Sequence, residues 1–180
     1  MKPDPLDDLI RAAGAELPQA PRADHFTARV LAAAAVTEEV LFRGYLFQRF
    51  IDGLGMWPAQ FVIAALFTLT HSDALREIGA QGLLAGTNIF LASLMFGLAF
   101  LRTRSLALPL GLHFAANVVQ GPVLGFGVSG DDQSGWLTPV MAGDPSWMTG
   151  GAFGLEASIP GLACVILMIL VLLAWQPQGK

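Results

Sequence analysis

Three short clusters in this sequence place side chains capable of acid–base chemistry in apolar surroundings. The first is Thr37-Glu38-Glu39-Val40-Leu41-Phe42-Arg43-Gly44. On a helix Glu39 and Arg43 stand four residues apart with the acid on the N-terminal side, the order that favours pairing. Glu38 is rotated by about 100° from that pair and has no such local partner. An unpaired buried carboxylate resists ionisation, which is the tuning a general base or acid near neutral pH requires. The bland alternative is that both acids face water at a helix end. The second cluster is Phe67-Thr68-Leu69-Thr70-His71, followed by Ser72 and Asp73. Its histidine reads either as chemistry or as an interfacial residue, and Asp73 reads as interfacial. The third is His113-Phe114-Ala115-Ala116-Asn117, which puts an imidazole and an amide on one helical face. Both can donate hydrogen bonds to a substrate, or they can join neighbouring helices.

Taken together, a glutamate, two histidines and an asparagine on three apolar helices form the parts of a hydrolytic site. A carboxylate with an imidazole can hold and deprotonate water, while a second imidazole and an amide donate to a developing oxyanion. Glu38, His71 and His113 are also a ligand set of the kind found at catalytic zinc with an open fourth position. The HExxH pattern is absent, so the usual zincin arrangement does not apply.

The elements that must carry these clusters are membrane helices. The chain has 180 residues, is 54% hydrophobic and only 13% charged, against roughly 25% charged in soluble domains. Its mean hydropathy is +0.58. A transmembrane helix needs about 20 apolar residues, and Gly53–Ser72, Gly79–Leu101, Ser105–Gly130 and Ala157–Gly179 supply runs of that kind. The helix of the first run should begin at Pro58, and the third should break from Gly121. A fifth segment, Phe26–Phe50, is interrupted by Glu38, Glu39 and Arg43. The sequence thus predicts an all-α, multi-pass transmembrane bundle of four to five spans, since backbone in lipid must be satisfied within helices or closed barrels. Residues 1–25 read as a polar arm and residues 26–180 as the membrane domain.

Basic residues collect at Arg43 and Arg49, at Arg102 and Arg104, and at Lys180, while the stretch Ser129–Glu156 carries Asp131, Asp132, Asp144 and Glu156 without Lys or Arg. The positive-inside rule puts the basic places in the cytoplasm and the acidic loop outside, with Arg76 on the wrong side. A net charge of −4, thinly spread, gives no reason to expect nucleic acid. Cys164 alone provides neither a disulfide nor a thiolate metal site and reads as an inert small hydrophobe. Counting along the helices places His71 about 20 Å from Pro58 and His113 about 12 Å from Ser105. If both helices start on one side of the membrane, the two imidazoles differ in depth by roughly 8 Å.

The three clusters, in this order and spacing, resemble the motifs of the CPBP family, which comprises the type II CAAX prenyl endopeptidases and the bacteriocin-processing or Abi proteins. The resemblance covers about residues 30–120, including the small-residue run Gly79–Leu101 and the Ser105-Leu106-Ala107-Leu108-Pro109 lead into the third motif. Gly150-Gly151-Ala152-Phe153-Gly154-Leu155-Glu156 is similar to a tail seen in some members. The resemblance implies an intramembrane endopeptidase in which Glu38 and His71 activate water, His113 and Asn117 stabilise the oxyanion, and Glu39, Arg43 and Phe67 support them. The family is described both as metal-dependent and as metal-free. The metal-free reading is favoured here, because Asn117 is a poor zinc ligand and a good donor; zinc on Glu38, His71 and His113 is its rival. Expected partners are the lipid bilayer and a membrane-associated, lipid-modified or CAAX-like peptide, in a bacterial inner membrane. Members usually carry two or more helices before the first motif, where this chain has only the arm and Phe26–Val36, which reads as a compact member, a truncated reading frame or the catalytic part of a larger assembly with an additional membrane subunit. The opposing reading is a non-enzymatic immunity, chaperone-like or transport component that keeps the polar cluster as packing. On that reading Glu38→Gln preserves function and Glu39→Ala, which strips Arg43 of its partner, does the damage.

Overall fold

The structure, a computed structural model, describes residues 25–132, 135–140 and 146–175. The polar arm therefore lies, except for its last residue, outside the described part, as do Asp144 and Lys180. Every regular element among the described residues is helical, in agreement with the all-α expectation.

The interrupted first segment is one continuous helical run in three parts: α1 (His25–Glu39), a π-helical stretch (Val40–Leu46) and α2 (Phe47–Leu54). Gly55, at φ +83°, ends it in a conformation that glycine adopts without steric cost. Helix α3 (Met56–Leu69) starts two residues before the expected Pro58. The proline sits in its first turn, where a missing N–H leaves no bond unmade. A turn at Thr70 and His71, the short α4 (Ser72–Glu77) and a 3-10 turn (Gly79–Gln81) lead into α5 (Gly82–Thr103). Arg104, at φ +54°, closes α5 by donating its N–H to Phe100 O at 2.7 Å. Helix α6 (Ala107–Val118) continues into a second π-helical stretch (Val119–Val123) containing Pro122. The expected break at Gly121 thus takes the form of a widened turn followed by irregular chain. After α7 (Ser146–Thr149) and the 3-10 turns Gly151–Phe153 and Leu155–Ala157 comes α8 (Ile159–Ala174). Ser158 caps it by accepting the Gly161 N–H at 3.0 Å.

Helix α5 is the axis of the bundle: α3, α6 and α8 pack on it, while α1 packs on α6 and α2 on α3. Met95 to Phe100 are buried without a gap, so α5 is covered on all sides there. Gly97 allows the closest of these approaches, because a Cβ at that position would overlap the Gln60 side chain, whose amide donates to Leu94 O at 3.1 Å. Phe42, Phe47, Ile63, Phe67, Ile89 and Phe100 form one packed cluster, and Met95, Phe96, Leu98, Ala99 and Leu172 another. Arg102 donates from Nε to Leu172 O and from Nη2 to Leu173 O, both at 2.8 Å, which satisfies carbonyls at the end of α8.

Two expectations change. One stretch among the described residues, Gly79–Thr103, is long and apolar enough to cross a membrane, while Met56–Leu69 and Ile159–Ala174 are apolar but shorter. At 1.5 Å per residue the 14 residues of α3 reach about 21 Å, because Gly55 and the turn at His71 cut the run at both ends. Arg43, counted as a cytoplasmic charge, is wholly buried. It therefore has no part in the charge asymmetry; Arg49, exposed and paired with Asp52 at 3.0 Å, remains.

Candidate active site

A cavity of about 320 Å³ lies where the end of α3, the middle of α5, α6 and the start of α8 meet. Ile89, Met95, Phe96 and Val165 give it apolar walls, and His71, His113, Asn117 and Glu156 are polar groups in its lining.

His71 reaches the cavity because α3 stops at Leu69, leaving the histidine in a turn at φ −99° and ψ 7°, the sparsely populated bridge region. Its Nδ1 lies 2.9 Å from Phe67 O and 3.2 Å from Thr70 Oγ1, and the Thr70 hydroxyl donates to Phe67 O at 2.7 Å. A carbonyl only accepts, so Nδ1 carries the hydrogen, and in the neutral ring Nε2 is then the acceptor. The Phe67-x-x-x-His71 spacing is therefore a backbone bond that fixes the imidazole tautomer. The Phe67 ring packs 5.1 Å from His71, 6.3 Å from His113 and, edge on, 5.2 Å from Phe42. Both imidazoles line one cavity. The depth difference of the sequence reading therefore does not keep the two imidazoles apart.

Glu39 and Arg43 form the expected pair, Oε1 to Nη1 at 3.1 Å, with both side chains fully buried. Glu39 Oε1 also accepts from His113 Nδ1 at 3.0 Å, so one oxygen holds both the guanidinium and the imidazole. Arg43 Nη2 donates to Ser93 O at 3.0 Å and Ser93 Oγ at 2.6 Å. The guanidinium carbon sits 4.9 Å from the Phe67 ring centroid and 5.3 Å from that of Phe96, within cation–π range. The Phe96 ring stacks on His113 at 4.9 Å. Ser93 and Phe96 thus tie the first and third motifs to α5, a role that no feature of the sequence marks.

Glu38 departs from the expectation of a buried, unpartnered carboxylate. Its side chain is 34% exposed, and its Oε2 lies 3.8 Å from His113 Nε2, so its neighbour comes from α6. Glu38 and Glu39 close α1 just before the π-helical stretch, the kind of widened turn that recurs at functional sites. Asn117, one turn beyond His113, is buried and lines the cavity. Asp73 stays at the surface, its side chain 3.4 Å from Arg76.

Glu156 is the residue that sequence reasoning misplaces. Assigned to an outward acidic loop, it instead lines the cavity, where its Oε2 accepts from Ser129 N at 3.1 Å and Ser129 Oγ at 2.9 Å. Burial pushes its carboxyl pKa up, while the Ser129 bonds and the nearby His71 and His113 pull it down. The available signal was the run of glycines: Gly150 and Gly154 have φ of +77° and +95°, and a Cβ on Gly154 would collide with Gly127 O. Cys164 lines the cavity too, on an exposed part of α8.

Among the described residues no three His, Cys, Asp or Glu side chains are grouped so as to hold a metal ion. No curated protein and no solved structure matches the chain. The sequence model of the type II CAAX prenyl endopeptidase Rce1-like family matches residues 25–119, the segment from α1 to the start of the second π-helical stretch that carries Glu38, His71, His113 and Asn117, and the chain accordingly belongs to that family.

Proposed function

We propose that the chain is an intramembrane endopeptidase that hydrolyses a peptide bond of a membrane-associated, CAAX-like or lipid-modified substrate without metal. The observation that carries this is the meeting of Glu38 with His113 at 3.8 Å beside a mostly apolar cavity shared by His71 and Asn117. In the reaction Glu38 takes a proton from water held with His71, whose bare Nε2 accepts its second hydrogen bond. The water oxygen bonds to the carbonyl carbon. His113, donating from Nε2 when both ring nitrogens are protonated, and the Asn117 amide receive the oxyanion. When the C–N bond breaks, the proton on Glu38 passes to the leaving nitrogen. Glu39 holds the His113 ring by Nδ1, and Arg43 holds Glu39, so this buried chain serves orientation.

The setting belongs to the same reading: a bundle crossing the membrane four to five times, in a bacterial inner membrane, with an additional membrane subunit as a partner. Supporting it are the continuous helical run from His25 to Leu54 and the exposed apolar side chains Phe61 and Leu69 on α3 and Leu167, Leu170 and Val171 on α8, surfaces suited to lipid.

The test is cleavage of a quenched peptide library by protein in nanodiscs, wild type against Glu38→Gln, with and without chelator. Wild type should cleave regardless of chelator, and Glu38→Gln should lose about a hundredfold or more in rate with an unchanged unfolding midpoint. Glu38→Gln turning over like wild type refutes the mechanism, and chelator-sensitive activity restored by zinc transfers it to the metal. A folded wild type that cleaves no peptide overturns the reading of this chain as a peptidase on its own, in favour of a missing partner helix or a non-enzymatic role.

A further inference from the structure

The cavity is completed by residues outside the segment matched to the family. Residues 25–119 supply His71, His113 and Asn117, whereas Ser129, Leu155, Glu156 and Val165 come from the chain beyond it. This second half is built to put one carboxyl group into the cavity. Asn88 Nδ2 on α5 donates to Glu156 O at 2.8 Å, fixing the 3-10 turn Leu155–Ala157 against the axis helix. A Cβ on Gly154 would meet Gly127 O and one on Gly127 would meet Ala152 O, so the two segments pack backbone against backbone. That contact brings Ser129 opposite Glu156, and Ser129 is held at φ +52°, a conformation costly for a residue other than glycine and maintained only by its surroundings. Both Ser129 bonds end on Oε2, and among the described residues Oε1 takes no hydrogen bond. No Lys or Arg stands among the described residues lining the cavity.

We propose that Glu156 and Ser129 form a specificity subsite that accepts a cationic side chain of the peptide substrate, with Glu156 Oε1 as its acceptor. An apolar cavity that holds one oriented carboxyl group, with one oxygen satisfied by the protein and the other open, is complementary to a lysine or arginine. Their aliphatic stems match the Ile89 and Val165 walls and their charged ends match Oε1. The raised proton affinity that burial gives this carboxyl is what a bound cation would reverse. The inference rests on the peptidase reading for the identity of the ligand as a peptide.

The experiment uses the full chain in non-ionic detergent. Fluorescent peptide pools, identical except for lysine or norleucine at one defined position, are titrated by anisotropy into protein carrying Glu38→Gln, which prevents turnover, with and without Glu156→Gln. The amide oxygen of glutamine still accepts both Ser129 bonds, so the loop closure survives, and an unchanged thermal midpoint verifies it. At one position lysine should bind about tenfold tighter than norleucine or better, and Glu156→Gln should cut that ratio to within about twofold. A lysine preference at no position, or one that persists in Glu156→Gln, overturns the subsite. Hydrolysis by wild type is followed alongside. Cleavage without a lysine preference overturns the subsite and leaves the peptidase standing, whereas the preference without cleavage does the reverse.

Discussion

Replacing Arg43 with methionine tests how the buried polar chain is held together. The substitution removes the partner of Glu39 and strips Ser93 O and Oγ of their donor, leaving a fully buried carboxylate whose remaining partner is His113. Breaking one side of such a pair costs about 3–5 kcal/mol. The pair is imperfect as it stands, since Glu39 Oε2 and Arg43 Nε are buried without hydrogen-bond partners among the described residues. Adding Glu39→Leu to Arg43→Met therefore removes the stranded charge and leaves chiefly His113 Nδ1 without its acceptor, a penalty of about 1–3 kcal/mol. The double variant should be more stable than the single Arg43→Met variant by roughly 2 kcal/mol, the difference between those ranges. The double variant should lack peptidase activity, because Glu39 no longer orients His113. Unfolding by urea in mild micelles, followed by tryptophan fluorescence, measures the stabilities. A double variant less stable than Arg43→Met would show that the pair is a net source of stability and refute the reasoning.

Gly154→Ala drives a Cβ into the Gly127 backbone at a residue with φ +95°. It should destabilise by about 2 kcal/mol or more and lower kcat/KM on peptides, and a thermal midpoint equal to wild type would contradict this. Glu156 gives a pH dependence of stability. Its folded pKa is raised above the ordinary value of 4.5, so as pH climbs past that value the unfolded chain releases the proton first and stability declines until the folded group has also ionised. Thermal midpoints of wild type should therefore fall relative to Glu156→Gln from pH 4.5 upward, and a gap that stays flat would refute the burial argument.

The acidic and imidazole groups were legible because helical spacing alone relates Glu39 to Arg43 and His113 to Asn117. Each of these relations is local, decided by the 3.6-residue period. The surroundings of Glu38 were not legible because its neighbour, His113, is far away in sequence, and burial is a property of what packs around a residue. The length of α3 was overestimated for a similar reason. Its apolar composition runs on to Ser72, but the bond from His71 to Phe67 O turns the chain earlier. Glu156 shows the opposite failure. Lack of nearby Lys or Arg made it look like part of a solvated acidic loop, and only the glycine-to-glycine contact between Gly127 and Gly154 turns it inward. Ser93 has no signal in sequence, being a small residue in a run of small residues.

The π-helical stretch Val40–Leu46 has a consequence for how this chain can change over generations. A π-helical turn accommodates one residue more than an α-helical turn, so the two ends of the run from His25 to Leu54 are phased independently. One end presents Glu38 and Glu39 to His113, and the other seats Phe47, fully buried, against Phe100 at 6.0 Å. Losing a single residue from this stretch would restore an ordinary helix and swing one end by about 100° relative to the other. Either the carboxylates would leave the imidazole or the phenylalanine would leave its socket. Point substitutions can wander through much of this segment, but its length is constrained as tightly as any residue of the site.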